Sequence, residues 1–234
     1  MKTVMLLSGG LDSTTLLWEL LSQGSEVYCL TVNYGQRHVR EIDACMKVVD
    51  RAVEEFGRAG MREWRLLDLR DIAQLMLGYG SSQVGGTVAV PEGHYAAESM
   101  KVTVVPNRNM LMLSAAASWA LSVKAESVAF AAHRGDHDIY PDCRPEFVDA
   151  LAAAFRLCDY QTLDLQAPFR LLTKEQIVRQ GSMLRVPFGL TWSCYKGGTK
   201  HCARCGTCVE RREAFELANV PDPTEYIEYQ EIAL

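Results

Sequence analysis

The sequence predicts an α/β fold with a doubly wound, mainly parallel sheet and a small metal-organised segment at its C-terminal end. Apolar runs at residues 3–7 and 27–32 flank a stretch with helical spacing at residues 13–21, which is the order of a β-α-β unit. A second helical pattern at residues 110–121 precedes an apolar run at residues 127–132, so the alternation continues. Such alternation favours parallel strands with helices on both faces and ligands beyond the carboxyl ends of the strands.

Two further segments complete this outline. Residues 41–56 are charged on one face and apolar on the other, which predicts a helix packed on the sheet. Residues 78–100 contain five glycines and one proline with little periodicity, which indicates a mobile loop or lid over a site. An ordinary surface excursion is the alternative interpretation.

Length and composition indicate one main domain with an appendage. The 234 residues, of which 48% are hydrophobic, are enough for one sizeable core. Beyond Pro187 the composition shifts to Cys, Gly and Lys, so we expect a main domain at residues 1–186 and a metal-binding tail at residues 187–234 packed on it.

Charge and hydropathy limit the classes of molecule that we expect this protein to bind. A formal net charge of -5 disfavours nucleic acid as the main partner, because nucleic-acid binding requires clustered Lys and Arg. The sequence has neither a secretion signal nor an apolar run near the roughly 20 residues that cross a bilayer. We therefore expect a cytoplasmic protein without membrane contact, whose ligands are small molecules.

The segment Ser8-Gly9-Gly10-Leu11-Asp12-Ser13 predicts a phosphate-binding loop between the first strand and the first helix. The glycines permit positive φ and a close approach of ligand to backbone, and the N–H groups of the helix start attract anions. Neither the Walker motif nor the G-x-G-x-x-G pattern occurs. A carboxylate at Asp12 beside an anion favours a divalent cation there, and the alternative is a simple helix cap.

Four of the eight cysteines crowd into fifteen residues, as Cys194-x7-Cys202-x2-Cys205-x2-Cys208. Two successive C-x-x-C turns can direct their sulfurs at one ion, which favours tetrahedral zinc. Four thiolates leave no open coordination position, so the predicted role of the zinc is structural. An iron–sulfur cluster or redox cysteines are the alternatives. His201, next to Cys202, is placed outside the ligand set because simultaneous ligation would be strained.

Basic residues surround these cysteines, and two interpretations are open. A nucleic-acid ribbon could have this composition, but cationic side chains also offset the charge of a four-thiolate centre, and we favour the second interpretation. The residues are Lys196, Lys200, His201, Arg204, Arg211 and Arg212.

Two polar stretches indicate a ligand pocket. In VPNRN at residues 105–109, Asn107 or Asn109 can cap the following helix, whereas Arg108 is unfavourable at a helix start unless an anion is near. Residues 133–147, HRGDHDIYPDCRPEF, gather histidines, carboxylates and arginines after a predicted strand.

That second stretch favours a polar substrate pocket over a metal site. His133 and His137 share a face only in a helix, which Gly135 disfavours. The Cys143 thiol lacks a base at fixed spacing, so a nucleophilic role is disfavoured. Hydrogen bonds to a heterocycle or its carboxylate are assigned to Asp136, Asp142 and Arg144.

Several blocks in order along the chain carry a resemblance to a known family. They are SGGLDS (8–13), YGQRH with Glu41 (34–41), VVPNRNM (104–110), GDHDIYPDCRPEF (135–147), Lys174 in TKEQI, and TWSCYKGGTKHCARCGTCVERREAF (191–215). With these blocks the chain resembles, from end to end, the 7-cyano-7-deazaguanine synthase family of the PP-loop ATP pyrophosphatase superfamily. The resemblance implies an adenine nucleotide alpha hydrolase-like ATP-binding and substrate domain, a four-cysteine zinc tail and a homodimer. Ala203 and Arg134 depart from residues usual in the family, and Arg134 bears on the rim of the substrate pocket.

The resemblance also implies residue roles. Asp12, Ser13 and Lys174 are expected to be catalytic, and Arg108 and Lys174 to contact phosphate or carboxylate. Mg²⁺ is expected near Asp12. ATP is expected to be held by Arg108 and by the segment Leu7, Ser8, Gly9, Gly10, Leu11, Asp12, Ser13, Thr14, Thr15, Leu16 and Leu17.

The implied reaction is the ATP-dependent conversion of 7-carboxy-7-deazaguanine and ammonia to 7-cyano-7-deazaguanine, in queuosine or archaeosine biosynthesis. ATP is needed because a carboxylate cannot lose oxide to ammonia unaided. Within the same superfamily, the alternatives are an enzyme that stops at the amide or modifies a protein terminus, and a tRNA-thiolating enzyme. A binding module with a vestigial ATP loop is a further alternative, which the intact SGGLDS disfavours.

Overall fold

The structure is a computed structural model that describes residues 1–36, 40–75, 80–84 and 88–227. Within these residues, five parallel strands form one sheet in the order β3-β2-β1-β4-β5. The strands are β1 (Lys2–Leu6), β2 (Glu26–Asn33), β3 (Met61–Asp68), β4 (Ser127–Ala129) and β5 (Asp164–Gln166). The predicted strands at residues 3–7 and 27–32 are confirmed within about one residue of the observed bounds.

The strand predicted at residues 127–132 is wrong in length. Only Ser127–Ala129 pair with β1 and β5, and one more backbone bond, from Phe130 N to Gln166 O at 3.0 Å, follows. The chain then leaves the sheet, and residues 130–133 line a cavity at its edge.

Helices connect the strands. They are α1 (Leu11–Ser22), α2 (Arg40–Gly60), α3 (Arg70–Ala73), α4 (Arg108–Ser122), α5 (Pro145–Phe155), α6 (Lys174–Met183) and α7 (Gly206–Ala218). The helices predicted at residues 13–21, 41–56 and 110–121 are confirmed as α1, α2 and α4. In α2 the regular helix is interrupted at Gly57, which has φ of 69°.

The two faces of the sheet pack against different helices because side chains alternate along each strand. Val4 packs with residues of α4 and α5 on one face. Its neighbour Met5 packs with residues of α1, α2, α6 and α7 on the other. This arrangement confirms the predicted doubly wound parallel sheet with helices on both faces.

The strand order places a topological switch point at β1. From β1 the chain winds outward to β2 and β3, and it later returns on the other side of β1 to form β4 and β5. Ligands of such sheets bind in the crevice outside the carboxyl ends of the strands at this point. The phosphate loop, which follows β1 directly, therefore lies at the expected ligand position.

Arg211 ties the two ends of the C-terminal segment to its helix α7. Its side chain is 1% exposed and donates to Phe188 O at 3.0 Å and to Thr191 Oγ1 at 2.8 Å. On the same helix, the Phe215 ring packs edge-on against Phe188, with centroids 5.1 Å apart. The division of the chain at residues 186 and 187 stays a prediction.

In the described part of the chain, no helix has both the length and the apolar character that a bilayer crossing requires.

A substitution at Gly181 tests how α6 packs on α1. A Cβ at this position would lie 2.5 Å from Phe188 Cζ and 2.9 Å from Thr15 Oγ1, so the Gly181→Ala side chain does not fit. We expect this substitution to lower the free energy of unfolding by about 1–3 kcal/mol, as overpacked cores do. Gly189→Ala is the control, because its Cβ would meet only Pro223 at 3.7 Å and should change stability by less than about 0.5 kcal/mol. Denaturant unfolding measures both, and equal stability of the two variants would contradict the packing.

Candidate functional site

A cavity of about 240 Å³ lies at the carboxyl edge of the sheet, at the switch point. Its walls come from the ends of β1, β2 and β4, the first turns of α1 and α4, and the C-terminal segment. The cavity thus joins parts of the chain that are far apart in sequence. From the long segment predicted as a loop or lid, Gln83 and Tyr95 line it. Residues 78–79 and 85–87 of that segment lie outside the described residues, and its mobility stays a prediction.

Gly9 gives the phosphate loop its shape. Its φ is +75°, and a Cβ would lie 2.5 Å from Glu41 O and 3.0 Å from Cys45 N. Any side chain would therefore be strained by conformation and by contact. The Gly9 carbonyl accepts a hydrogen bond from Trp192 N at 2.9 Å, which ties the loop to the C-terminal segment.

The hydroxyl groups hold the loop together. The Ser8 and Ser13 hydroxyls are 3.0 Å apart, and Ser13 Oγ accepts from Ser8 N at 3.2 Å. Thr14 Oγ1 donates back to Gly10 O at 2.8 Å. At the start of α1, Gly10 caps the helix without a side-chain hydrogen bond. The first N–H groups of α1 are consequently available to an anion.

Apart from Gly9, the residues of the predicted ATP segment divide into two groups. Those that line the cavity are Leu7, Ser8, Gly10, Leu11, Asp12 and Ser13. The side chains of Thr14, Thr15, Leu16 and Leu17 are fully buried and belong to the packing of α1.

Lys174 and Asp12 form an ion pair at the mouth of the phosphate loop. Lys174 is the first residue of α6, and its Nζ lies 2.6 Å from Asp12 Oδ2. Glu210 of α7 approaches the same ammonium group, with Oε2 at 3.2 Å. A lysine at a helix N-terminus is unfavourable for the helix dipole, and these two carboxylates offset that cost.

The electrostatics keep Asp12 and Lys174 charged. Burial by itself would raise the pKa of Asp12, but the positive charge of Lys174 outweighs it and lowers that pKa. Burial likewise works against the charge of Lys174, yet Asp12 and Glu210 raise the pKa of the lysine. Burial raises the pKa of Glu210, although Lys174 opposes the shift.

His133 and Asp136 extend this network after β4. His133 Nε2 is 3.1 Å from Lys174 Nζ, and His133 Nδ1 accepts from Gly135 N at 3.0 Å. Asp136 Oδ2 accepts from His133 N at 3.1 Å, and its Oδ1 accepts from Tyr95 OH at 3.0 Å. Asp136 therefore lines the cavity with its carboxylate held by two donors, and its role in substrate binding stays a prediction.

Sequence reasoning assigned no role here to His133, Tyr95 or Glu210. His133 belongs to the polar stretch at residues 133–147, so its neighbourhood was indicated but its contact with Lys174 was not. Glu210 follows Cys208 closely, and nothing in the local pattern links it to Lys174.

Asp142 and Arg144 are not among the residues that line the cavity. The Asp142 carboxylate accepts from Asn109 N at 2.9 Å and so caps the first turn of α4. Arg144 is exposed, and its Nε donates to His137 O at 2.9 Å. Short 3-10 turns at Arg134–Asp136 and Pro141–Cys143 interrupt the polar stretch, and the residues of it that line the cavity are His133, Asp136, Tyr140 and Cys143.

Arg108 lines the cavity from the first residue of α4. Its Nη1 donates to Tyr34 OH at 3.3 Å, and its guanidinium lies 5.7 Å from the ring centroids of both Tyr34 and Tyr140. Arg108 Nε is buried and has no hydrogen-bond partner among the described residues. This unused donor fits an anionic ligand.

A second unused atom lies on Asp12. Its Oδ1 is buried without a hydrogen-bond partner in the part of the chain that the structure describes. A carboxylate oxygen beside an anion site fits a divalent cation with hard oxygen ligands. Of the YGQRH block, Arg37 and His38 lie outside the described residues, whereas Gln36 and Glu41 line the cavity.

The four cysteines form a compact group beside the cavity. All four are buried, and their sulfur atoms lie within 4.8 Å of one another. Tetrahedral zinc with Zn–S bonds near 2.3 Å requires sulfurs about 3.8 Å apart, and Cys202 Sγ and Cys208 Sγ are 3.9 Å apart. Backbone N–H groups also point at the sulfurs, including Cys205 N to Cys202 Sγ at 3.3 Å. The residues therefore fit a four-coordinate metal.

Lysine side chains near the four cysteines form ion pairs within the protein. Lys196 pairs with Glu92, and Lys200 pairs with Glu225 at 3.4 Å. His201 is not a member of the metal group, because its Nε2 accepts from Ser193 N at 3.1 Å.

The raised pKa of the Glu41 carboxyl group predicts that the free energy of unfolding depends on pH. Burial raises its pKa from 4.5 to about 7, although Arg108 opposes the shift. A carboxyl whose pKa is raised by folding contributes stability that is complete below the unfolded value and is lost as pH rises through the folded value. The wild-type free energy of unfolding should therefore fall relative to that of Glu41→Gln between pH 4.5 and about 7. Denaturant unfolding across this range measures the effect, with exposed Asp43→Asn as the control. Parallel pH profiles for wild type and Glu41→Gln would contradict it.

Comparison with known proteins agrees with this geometry. A family model described as "Queuosine biosynthesis protein QueC" matches residues 2–219. A relative from Caldicellulosiruptor saccharolyticus, named 7-cyano-7-deazaguanine synthase, is 47% identical over 226 residues, which is 97% of this chain and 96% of its own. A relative of the same name from Methanoregula boonei is 48% identical over 226 residues, covering 97% and 99% of the two chains.

A solved structure supports the fold. The structure of a 4-thiouridine synthetase–RNA complex with bound ATP superimposes with a TM-score of 0.51 at 16% identity, over 92% of this chain and 53% of that one. This likeness concerns the fold alone, and this chain spans about half the length of that protein. The match to the family model and the identities to the two relatives establish that the chain belongs to the QueC family, whose similar members are named 7-cyano-7-deazaguanine synthase.

Proposed function

We propose that this protein is an ATP-dependent carbon–nitrogen ligase that converts 7-carboxy-7-deazaguanine and ammonia to 7-cyano-7-deazaguanine. The observation that carries the proposal is the ion pair of Lys174 and Asp12, 2.6 Å long, at the mouth of the phosphate loop. The loop offers N–H groups to phosphate, Lys174 offers a charge, and the family relatives carry the name of this synthase.

The reaction removes two oxygens from one carbon. Activation by ATP turns a carboxylate oxygen into a leaving group, and ammonia displaces it to give the amide. A second activation turns the amide oxygen into a leaving group, and its loss together with both N–H protons gives the nitrile. Each stage develops negative charge on the departing group, which preorganised donors can stabilise.

The chain's own residues supply these donors. The first N–H groups of α1 bind phosphate oxygens, and Ser13 holds the loop in shape through its contact with Ser8. Lys174 offers its ammonium group to a phosphoryl oxygen while Asp12 and Glu210 keep it charged and oriented. Arg108 binds the phosphate or the substrate carboxylate through its unused Nε.

The base is oriented by polar groups on the β4 side of the cavity. Asp136 offers carboxylate oxygens to the donor edge of the deazaguanine, and Tyr95 fixes its rotamer. The roles assigned to Asp142 and Arg144 stay predictions, since their present contacts are with Asn109 and His137.

Two metal ions complete the proposal. Mg²⁺ would be held near Asp12 Oδ1, where it would neutralise charge on the polyphosphate. Zinc would be held by Cys194, Cys202, Cys205 and Cys208 in a closed four-thiolate site with a structural role.

We further infer a homodimer in the cytoplasm, with small molecules rather than nucleic acid as its substrates. The family resemblance supports the dimer. Exposed apolar side chains on α6 and α7, Met183 at 78% and Leu217 at 64%, are compatible with a subunit contact.

The direct test uses purified protein with ATP, Mg²⁺, an ammonium salt and 7-carboxy-7-deazaguanine. Mass spectrometry should detect a nitrile that has lost both carboxylate oxygens, with a transient amide. An amide that accumulates without nitrile would indicate the family alternative that stops early. No turnover of this base in metal-loaded, folded protein would reject the proposed substrate.

Asp12→Asn tests the role of the phosphate loop. The substitution removes the charge that faces Lys174 and the ligand for a divalent cation, so we expect turnover to fall by about 10²-fold or more. The zinc content, measured by elemental analysis, should be unchanged because the four cysteines lie elsewhere. The control is Asp50→Asn at an exposed position on α2. Asp12→Asn protein with wild-type turnover would show that the loop has another role.

A further inference from the structure

Glu210 lies on a helix that begins inside the four-cysteine group. Cys205 is the N-cap of α7, and Cys208 belongs to its first turn, with Cys208 N donating to Cys205 O at 2.9 Å. Glu210 follows Cys208 and reaches Lys174 at 3.2 Å. The position of this carboxylate therefore depends on where the cysteines hold the start of the helix.

A second connection runs from Cys194 to the phosphate loop. Trp192 Nε1 donates to Cys194 O at 3.0 Å, while Trp192 N donates to Gly9 O at 2.9 Å. One residue thus contacts both the cysteine group and the glycine that shapes the loop.

A third connection leads to Tyr95. Glu92 forms an antiparallel bridge with Cys205, and Gly93 N donates to Arg204 O at 3.0 Å. A Cβ on Gly206 would lie 3.4 Å from Tyr95 Cα and 2.7 Å from Met100 Sδ, so this segment packs directly on the start of α7. The Tyr95 hydroxyl then reaches Asp136.

These three connections converge on the groups around Lys174, and the connection through Glu210 reaches the ammonium group directly. Its side chain is 13% exposed, and its Oε1 lies 3.9 Å from His133 Nε2. Without this carboxylate, Lys174 would keep its ion pair with Asp12 of the phosphate loop but lose the one with α7, so the position of the ammonium group would no longer depend on the start of that helix.

We propose that Glu210 is a positioning residue that couples the four-cysteine metal site to nucleotide binding, by holding Lys174 toward the phosphate loop. The inference rests on the proposed function, because it requires ATP in the cavity. Coupling between two sites is reciprocal, so ATP must raise the affinity of the cysteines for zinc by the factor by which zinc raises the affinity for ATP. If zinc only stabilised the tail, ATP would leave the affinity of the cysteines for zinc unchanged.

The test measures the zinc affinity of the full chain by competition with a chromophoric chelator, with and without ATP and excess Mg²⁺. We expect ATP to raise the zinc affinity of the wild type by about fivefold or more, the lower end of common coupling factors. Glu210→Gln should reduce that rise to less than about twofold. Glu216→Gln, exposed on the same helix, should keep it. Because ATP also binds zinc, every affinity is corrected for the zinc that ATP holds, which is measured with the same chelator in samples without protein.

Two results would overturn the inference. One is ATP uptake by the wild type, seen by calorimetry, without a rise in zinc affinity; this outcome needs no variant and leaves the proposed function intact. The other is an increase in zinc affinity on adding ATP that is as large in Glu210→Gln as in the wild type. Should that variant fail to retain zinc, Glu210→Asp replaces it, which keeps the charge but shortens its reach and should also lower the rise. A wild type that takes up no ATP would overturn the proposed function and this inference with it.

Discussion

The ammonium group of Lys174, held between Asp12 and Glu210, is the interaction on which the site depends. It joins the first turns of α1 and α6 to α7, so it connects the phosphate loop to the metal-binding segment. Burying charges is costly, and loss of one partner of a buried pair costs about 3–5 kcal/mol. Apolar side chains of similar volume often stabilise a buried place as well as an ion pair does. Stability alone therefore does not account for these charges, whereas the proposed role in phosphate binding does.

The sheet makes this interaction possible. Parallel strands bring their carboxyl ends to one edge, and the switch at β1 opens a crevice there. The crevice receives the loop after β1, the chain after β4 and the C-terminal segment. Gly9 allows the loop to pass close to the backbone of α2, where a Cβ would lie 2.5 Å from Glu41 O, and to accept a hydrogen bond from Trp192 N. The packed backbone of the loop and the charged side chains are thus brought together at the same edge of the sheet.

Local patterns in the sequence were sufficient to predict much of the fold and part of the candidate site. The strands β1 and β2, the helices α1, α2 and α4, and the cysteine group each rest on neighbouring residues, so periodicity and spacing could predict them. Contacts across the fold could not be predicted in that way. Asp142 caps α4 from a distant turn, and Glu210 meets Lys174 only because α7 packs on α6. A polar residue near a predicted site is equally able to cap a helix, and only the fold decides between the two roles.

The central claim, that the loop after β1 binds the triphosphate beside Lys174, is tested most directly by a crystal structure with a non-hydrolysable ATP analogue and Mg²⁺. The account predicts phosphate oxygens within hydrogen-bond distance of the first N–H groups of α1 and of Lys174 Nζ. An analogue bound with its phosphates elsewhere, and with the Lys174 and Asp12 pair untouched, would contradict it.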